Sequence, residues 1–271
     1  MDRYAETFGR LGAQQAAAFG AFVTLGDPDL ETSLAILDAL VEGGANLLEL
    51  GIPFSDPVAD GPVIQASARR ALAKGVTPAD CFELVERVRA RHPRIPIGIL
   101  TYANLVVARG RDDFYRRVAR AGIDSVLVAD VPAIEAMPFV ESARANHVHP
   151  VLIAAANTPR ERLRAIAELG GGYTYCVARR GVTGADDRIR LELGDMLACL
   201  RDYGAPSPVV GFGIASPEHV HAARAAGAAG VISGSAIIRL IAENPDDPVP
   251  HVSRFVAEMA AASHSLNRVG E

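Results

Sequence analysis

An α/β barrel of eight parallel strands, each followed by a helix, is the fold class this sequence predicts, and three observations predict it. The 271 residues match the roughly 250 of a closed α/β barrel built as one domain. A phrase in which a helix ends in small residues and glycine, followed by a short apolar strand, occurs four times. No linker rich in Pro, Ser or charge interrupts the alternation. The reading is a single (β/α)₈ TIM-barrel domain over residues 1–271 with extra short helices. An open doubly wound sheet is the alternative, because periodicity does not show closure.

The elements follow in chain order. A first strand is expected at 19–24, then a helix whose Leu30, Leu34, Leu37 and Val41 share one face. The phrase first appears as Glu42-Gly43-Gly44-Ala45-Asn46 running into the second strand, Leu47-Leu48-Glu49-Leu50. In such a phrase Gly ends the helix by turning left-handed, and a buried parallel strand follows. A third strand is expected at 96–101. The phrase then returns in Ala121–Val128, in Leu169–Tyr175 and in Ala226–Ser233, giving strands four, six and eight. Strands five and seven are expected at 148–153 and 207–211.

Composition narrows the function. An apolar fraction of 49% and a charged fraction of 22% suit a globular core. The net charge of −5 argues against nonspecific nucleic-acid binding, which needs clustered cations. Cys81, Cys176 and Cys199 form no paired or zinc-like spacing and read as free thiols. Met1–Tyr4 lacks a signal-peptide pattern, and no apolar run reaches the ~20 residues of a membrane span. A cytoplasmic location is expected, with no membrane partner. His147 with His149 and His219 with His221 lack a third ligand and are not read as metal sites.

In such a barrel, chemistry belongs at the C-terminal ends of the strands. Leu48 and Leu50 suit the helix-facing side of strand two, so alternation turns Glu49 inward. A carboxylate there loses hydration and its pKa should rise toward neutrality, as acid–base work requires. The alternative is a buried ion pair. The following loop, Ile52-Pro53-Phe54-Ser55-Asp56-Pro57-Val58-Ala59-Asp60-Gly61-Pro62, offers Asp60 or Asp56 as a second carboxylate or as a turn and capping residue. A helix is expected from Val63. Gly211-Phe212-Gly213 before Ser216-Pro217, and Gly234-Ser235-Ala236 at the start of a short extra helix, suit a phosphate held by backbone N–H groups. The stretch 178–188, with its glycines and charges, reads as a mobile lid or as an ordinary solvated loop.

The motifs together resemble the alpha chain of tryptophan synthase, from Tyr4 to about Ala262. The carrying stretches are Phe22–Pro28, Leu48–Pro57, Asp60–Gln65, Tyr102-Ala103-Asn104, Gly181-Val182-Thr183-Gly184, Gly211–Ile214 and Ser233–Ala236. The resemblance implies a lyase that cleaves indole-3-glycerol phosphate to indole and glyceraldehyde 3-phosphate, with Glu49 and Asp60 as the catalytic pair. It carries over Gly184, Gly213, Gly234 and Ser235 as phosphate contacts. Phe22, Leu100, Tyr175 and Phe212 match its substrate pocket, and Thr183 falls in its lid motif as a further substrate contact. It also implies an α₂β₂ complex, with pyridoxal phosphate only on the beta chain and no cofactor or metal on this one. Asp56 and its neighbouring prolines would face that partner. A stand-alone indole-releasing lyase and a silent phosphate-binding regulatory subunit are the competing readings. Two departures from the family pattern, Ala154-Ala155-Ala156 and Ala178, bear on loop rigidity and the lid.

Overall fold

The structure, a computed structural model, describes residues 2–177 and 187–264, with side chains 187–192 outside that description. The strands close into a barrel in sequential order, every neighbouring pair parallel, which excludes the open sheet. A helix α1 (Arg3–Ala13) precedes β1 (Ala18–Thr24), α2 (Leu30–Glu42) and β2 (Leu47–Gly51). Two helices, α3 (Pro62–Ala73) and α4 (Pro78–Arg91), lead to β3 (Ile97–Thr101). Then come α5 (Ala103–Val107), α6 (Arg111–Arg120) and β4 (Ser125–Val128). A 3₁₀ turn at Ala133–Glu135 precedes α7 (Met137–Ala145), β5 (His149–Ala155), α8 (Arg160–Leu169) and β6 (Thr174–Val177). The chain ends through α9 (Asp187–Asp202), β7 (Pro208–Val210), α10 (Pro217–Ala225), β8 (Gly230–Ser233), α11 (Ser235–Glu243) and α12 (Val249–His264).

Alternation divides the apolar residues into two cores. Outward residues such as Leu48, Leu50, Ile97, Ile99 and Val126 pack against the helices, where Leu34 and Leu37 of α2 meet them. Inward residues Phe22, Leu47, Leu127, Val151, Val209 and Ile232 fill the barrel, joined by Tyr4 and Leu11 from α1. That helix, which periodicity did not reveal, places two large side chains inside the barrel.

The glycine phrase works as expected at Gly44 (φ 102°) and Gly227 (φ 96°), each just past a helix end. The third copy differs. Gly170 ends α8 at φ −69°, and the left-handed turn is displaced to Gly172 at φ 72°. Strand five also runs two residues beyond its expected end, through Ala154 and Ala155. The Ala156 N–H donates to the Val177 carbonyl at 3.2 Å, a bond that proline cannot make. That bond continues the β5–β6 pairing one residue past Ala155, which lies opposite Val177.

Candidate active site

Glu49 points into the barrel, in register with Phe22 on one side and Gly98 on the other. It is 1% exposed, and among the described residues no cation contributes to its shift. Instead the Tyr173 hydroxyl donates to Oε1, while Oε2 has no partner among the described residues. Burial pushes the Glu49 carboxyl up to about 7; the Tyr173 hydrogen bond opposes that and the nearby Asp60 charge adds to it. A group poised near neutrality with one free oxygen is equipped to give and take a proton.

Asp60 is held by the aromatic end of β3. Tyr102, 2% exposed and one residue past that strand, stacks on Phe54 with ring centroids 5.2 Å apart. Its hydroxyl accepts the Ala59 N–H at 3.2 Å and bonds the Asp60 side chain. Half-buried Asp60 is raised by that burial, against the Tyr102 hydrogen bond. Geometry removes the capping reading of the two aspartates and leaves Asp60 in a turn, its N–H donating to the Pro57 carbonyl at 3.1 Å. Gly61, not either aspartate, caps α3, which begins at Pro62. Asp56 is exposed and accepts the Ser55 hydroxyl, leaving Asp60 as the carboxylate that shares a field with Glu49.

The two glycine loops come together above β7 and β8. Ser233 Oγ donates to the Ile214 carbonyl at 2.7 Å, tying them. Helix α11 starts at Ser235 with Gly234 as a cap that supplies no side-chain bond, and Ile238 N–H is bonded back to the Gly234 carbonyl. The first-turn N–H groups therefore lack intrahelical partners and carry the positive end of the helix dipole. A side chain at Gly234 would press on the Phe22 ring, its Cβ 3.0 Å away, so the loop lies directly over the pocket wall. The Tyr175 hydroxyl donates to the Gly211 carbonyl at 2.7 Å, and a Cβ on Gly211 would stand 2.1 Å from that ring. Gly213 takes φ 77° in the same loop, and Phe212 is 54% exposed beside it.

Phe22, Leu100 and Tyr175 thus share the inner cluster that surrounds Glu49. Thr183, Gly184, Ala178 and all of the expected lid except its last two residues lie outside the described residues, and side chains at those two are undescribed. Sequence reasoning gave no role to Tyr173 or Tyr102. Tyr173 was within reach, because it precedes Tyr175 by two and so shares its inward face. Of the histidines, His219 Nδ1 accepts the Ala215 N–H at 3.1 Å, and no metal-like group of three occurs among the described residues. A cavity of about 450 Å³ lies outside the barrel, between β4, β5, α7 and α8, and contains neither carboxylate.

The whole chain has counterparts among known proteins. The profile of the family described as tryptophan synthase alpha chain matches residues 8–266. The chain belongs to the tryptophan synthase alpha chain family. The Shewanella amazonensis tryptophan synthase alpha chain is 53% identical over 266 residues, covering 97% of this chain and 100% of that one. The Escherichia coli protein of the same name is 51% identical, covering 98% and 100%. Among solved structures, tryptophan synthase subunit alpha from Legionella pneumophila superposes with a TM-score of 0.88 at 30% identity, covering 97% and 98%. A chain of the tryptophan synthase complex from Pyrococcus furiosus gives 0.83 at 35%, covering 91% and 98%.

Proposed function

We propose that this chain, one domain over residues 1–271, cleaves indole-3-glycerol phosphate to indole and glyceraldehyde 3-phosphate. The observation that carries the reading is Glu49: buried, raised to about 7, with one oxygen tethered to Tyr173 and the other free. Carbon–carbon cleavage needs indole as a leaving group, and the ring leaves only once it is protonated at C3. Glu49 in its acid form donates that proton. Charge then develops on the indole nitrogen, and ionised Asp60 stabilises it by accepting the N–H. The Glu49 carboxylate next removes the proton of the substrate's 3′-hydroxyl. The C3–C3′ bond breaks, its electron pair returns to the ring, and the aldehyde forms. Glu49 ends protonated, as it began. The two carboxylates do separate jobs because one is fully sealed and the other half-exposed.

The substrate phosphate belongs at the N-terminus of α11, against Gly234 and Ser235, with Gly213 alongside and Thr183 and Gly184 from the lid motif. Phe22, Leu100, Tyr175 and Phe212 flank the indole. The partner is a tryptophan synthase beta chain, in an α₂β₂ complex in the cytoplasm. Pyridoxal phosphate resides on that beta chain, and every step above is carried by groups of this chain. Val58 (80% exposed), Val107 (45%) and Ile134 (76%) follow β2, β3 and β4 and so stand on the rim at the catalytic end, with Asp56 in the same loop as Val58. That rim is the docking face.

Indole release by the purified chain, alone and with a matching beta chain, tests the reading. Slow release that rises strongly with the partner is the expected result. Fast release alone indicates a self-sufficient lyase, and none under either condition a silent regulator. Asp60→Ala should lose at least ~100-fold in turnover with a small change in substrate binding, since its interaction strengthens only as charge develops. Unchanged turnover removes Asp60 from the mechanism.

A further inference from the structure

The cavity of about 450 Å³ outside the barrel has no part in the steps above, yet it is built like a small-molecule site. Its volume falls within the roughly 300–1,000 Å³ of such sites. The walls are apolar: Val126 and Val128 of β4, Leu152 of β5, Phe139 and Val140 of α7, and Ile166 of α8. Tyr115 of α6 also lines it and is 1% exposed, its ring edge-on to Phe114 with centroids 5.6 Å apart. The Tyr115 hydroxyl has no hydrogen-bond partner among the described residues, and it is not one of their sealed orphan atoms, so it meets the open space of the cavity. Burial pushes its pKa well up, so it stays protonated, able to donate one hydrogen bond and accept another. A buried tyrosine hydroxyl ordinarily finds a partner, and here a guest in the cavity would supply it.

Two opposite charges border the same space. Asp130, just past β4, spends Oδ1 on the Ala103 N–H at 2.8 Å and has no ion pair among the described residues. Arg162 stands in the first turn of α8, where the helix dipole adds to its pull on an anion. Its guanidinium has neither an ion pair nor a hydrogen bond among the described residues. An acid and a base that share a cavity without pairing leave one counter-ion for an ammonium and one for a carboxylate. We propose that this cavity binds a free amino acid whose aromatic side chain carries a polar ring atom. The ring lies among the apolar walls beside Phe139, and its N–H or hydroxyl meets Tyr115. The carboxylate pairs with Arg162 and the ammonium with Asp130. A purely apolar guest would leave all three polar groups unserved, and a phosphate ester would meet the Asp130 carboxylate. Neither Glu49 nor Asp60 lines the cavity, so the proposal stands apart from the reading of the reaction.

Calorimetric titration of the purified chain tests it, without the beta chain so that no other subunit adds a site. L-Tryptophan should bind in the millimolar range or tighter. Tryptamine, which lacks the carboxylate, and indole-3-propionate, which lacks the ammonium, should each bind at least ~10-fold more weakly, since each forgoes a charge-assisted bond. Arg162→Ala should weaken L-tryptophan at least ~10-fold and leave tryptamine unchanged. Asp130→Asn, which still accepts the Ala103 N–H, should weaken L-tryptophan likewise and leave indole-3-propionate unchanged. Tyr115→Phe should cost L-tryptophan about three-fold and L-phenylalanine nothing. Arg162 and Asp130 are exposed and Tyr115→Phe keeps the ring, so the variants retain the fold. Asp60→Ala, altered in the catalytic pocket, should bind L-tryptophan as the wild type does. Absence of binding at about 10 mM L-tryptophan overturns the proposal. So does binding that Arg162→Ala leaves unchanged, and a loss in Asp60→Ala alone would put the amino acid in the catalytic pocket instead.

Discussion

A carboxyl group sealed inside an apolar barrel resists ionisation, and at Glu49 that resistance has a cost in stability. In the unfolded chain Glu49 ionises near 4.5, while in the folded chain it keeps its proton up to about 7. Between those values the folded state binds the extra proton, so stability falls as pH rises through this window. The gap, at about 1.4 kcal/mol per pH unit, comes to on the order of 3 kcal/mol above pH 7. Glu49→Gln, which needs no proton and still accepts from Tyr173, should be more stable by roughly that amount at pH 8 and unchanged at pH 4. Urea unfolding at both pH values checks this, and equal differences at the two would contradict it. Tyr173→Phe acts in the other direction on the acid. Removing the donor that favours the carboxylate raises Glu49 further, so the alkaline fall in kcat should move to higher pH. The inward face of Glu49 was legible from a single alternation, Leu48-Glu49-Leu50. The same alternation puts Tyr173 on an inward face, but its pairing with Glu49 was not legible, since it lies 124 residues away and only barrel closure brings the two together.

At the scale of elements, the loop after β2 is gripped at both ends. Tyr102 holds Ala59 and Asp60 from β3. At the far end α3 is tied to the loop after β1, where Asp27, 2% exposed, accepts Arg70 Nε at 2.7 Å and Nη2 at 2.6 Å and the Ser67 hydroxyl. Arg70→Ala would strand a buried carboxylate, at a cost of about 3 kcal/mol, the low end for broken buried pairs because Arg70 is one-third exposed. Chemical denaturation measures it, and a loss within ~0.5 kcal/mol would place Asp27 among ordinary surface positions. Tyr102→Phe should leave the fold intact and cut kcat, because both its bonds go to the segment that carries Asp60; unaltered turnover would show that segment to be held elsewhere. Helices with strong periodicity, such as α2, were legible in the sequence. The ends of β5 were not, because pairing with β6, where Ala155 lies opposite Val177, sets how far it runs.

Across the whole molecule, the barrel separates its two ends by function. The closed end is filled by α1, and the open end carries both carboxylates, the glycine loops and the rim. The strand count was readable, strands two, four, six and eight from the glycine phrase that ends a helix, whereas closure was not, since periodicity does not show it. The rim was not, since exposure of Val58, Val107 and Ile134 depends on how three separate loops stand. A charge on that rim, as in Ile134→Asp, should weaken beta-chain binding at least ~10-fold with the melting temperature unchanged. Titration calorimetry reads this directly, and undiminished affinity would move the docking face elsewhere.

The central claim is that Glu49 moves the proton that lets indole leave. Indole release from indole-3-glycerol phosphate, measured side by side for the wild type and Glu49→Gln with the beta chain saturating, tests it most directly. The account predicts that the variant binds substrate and releases no indole above background. Release at the wild-type rate would contradict it.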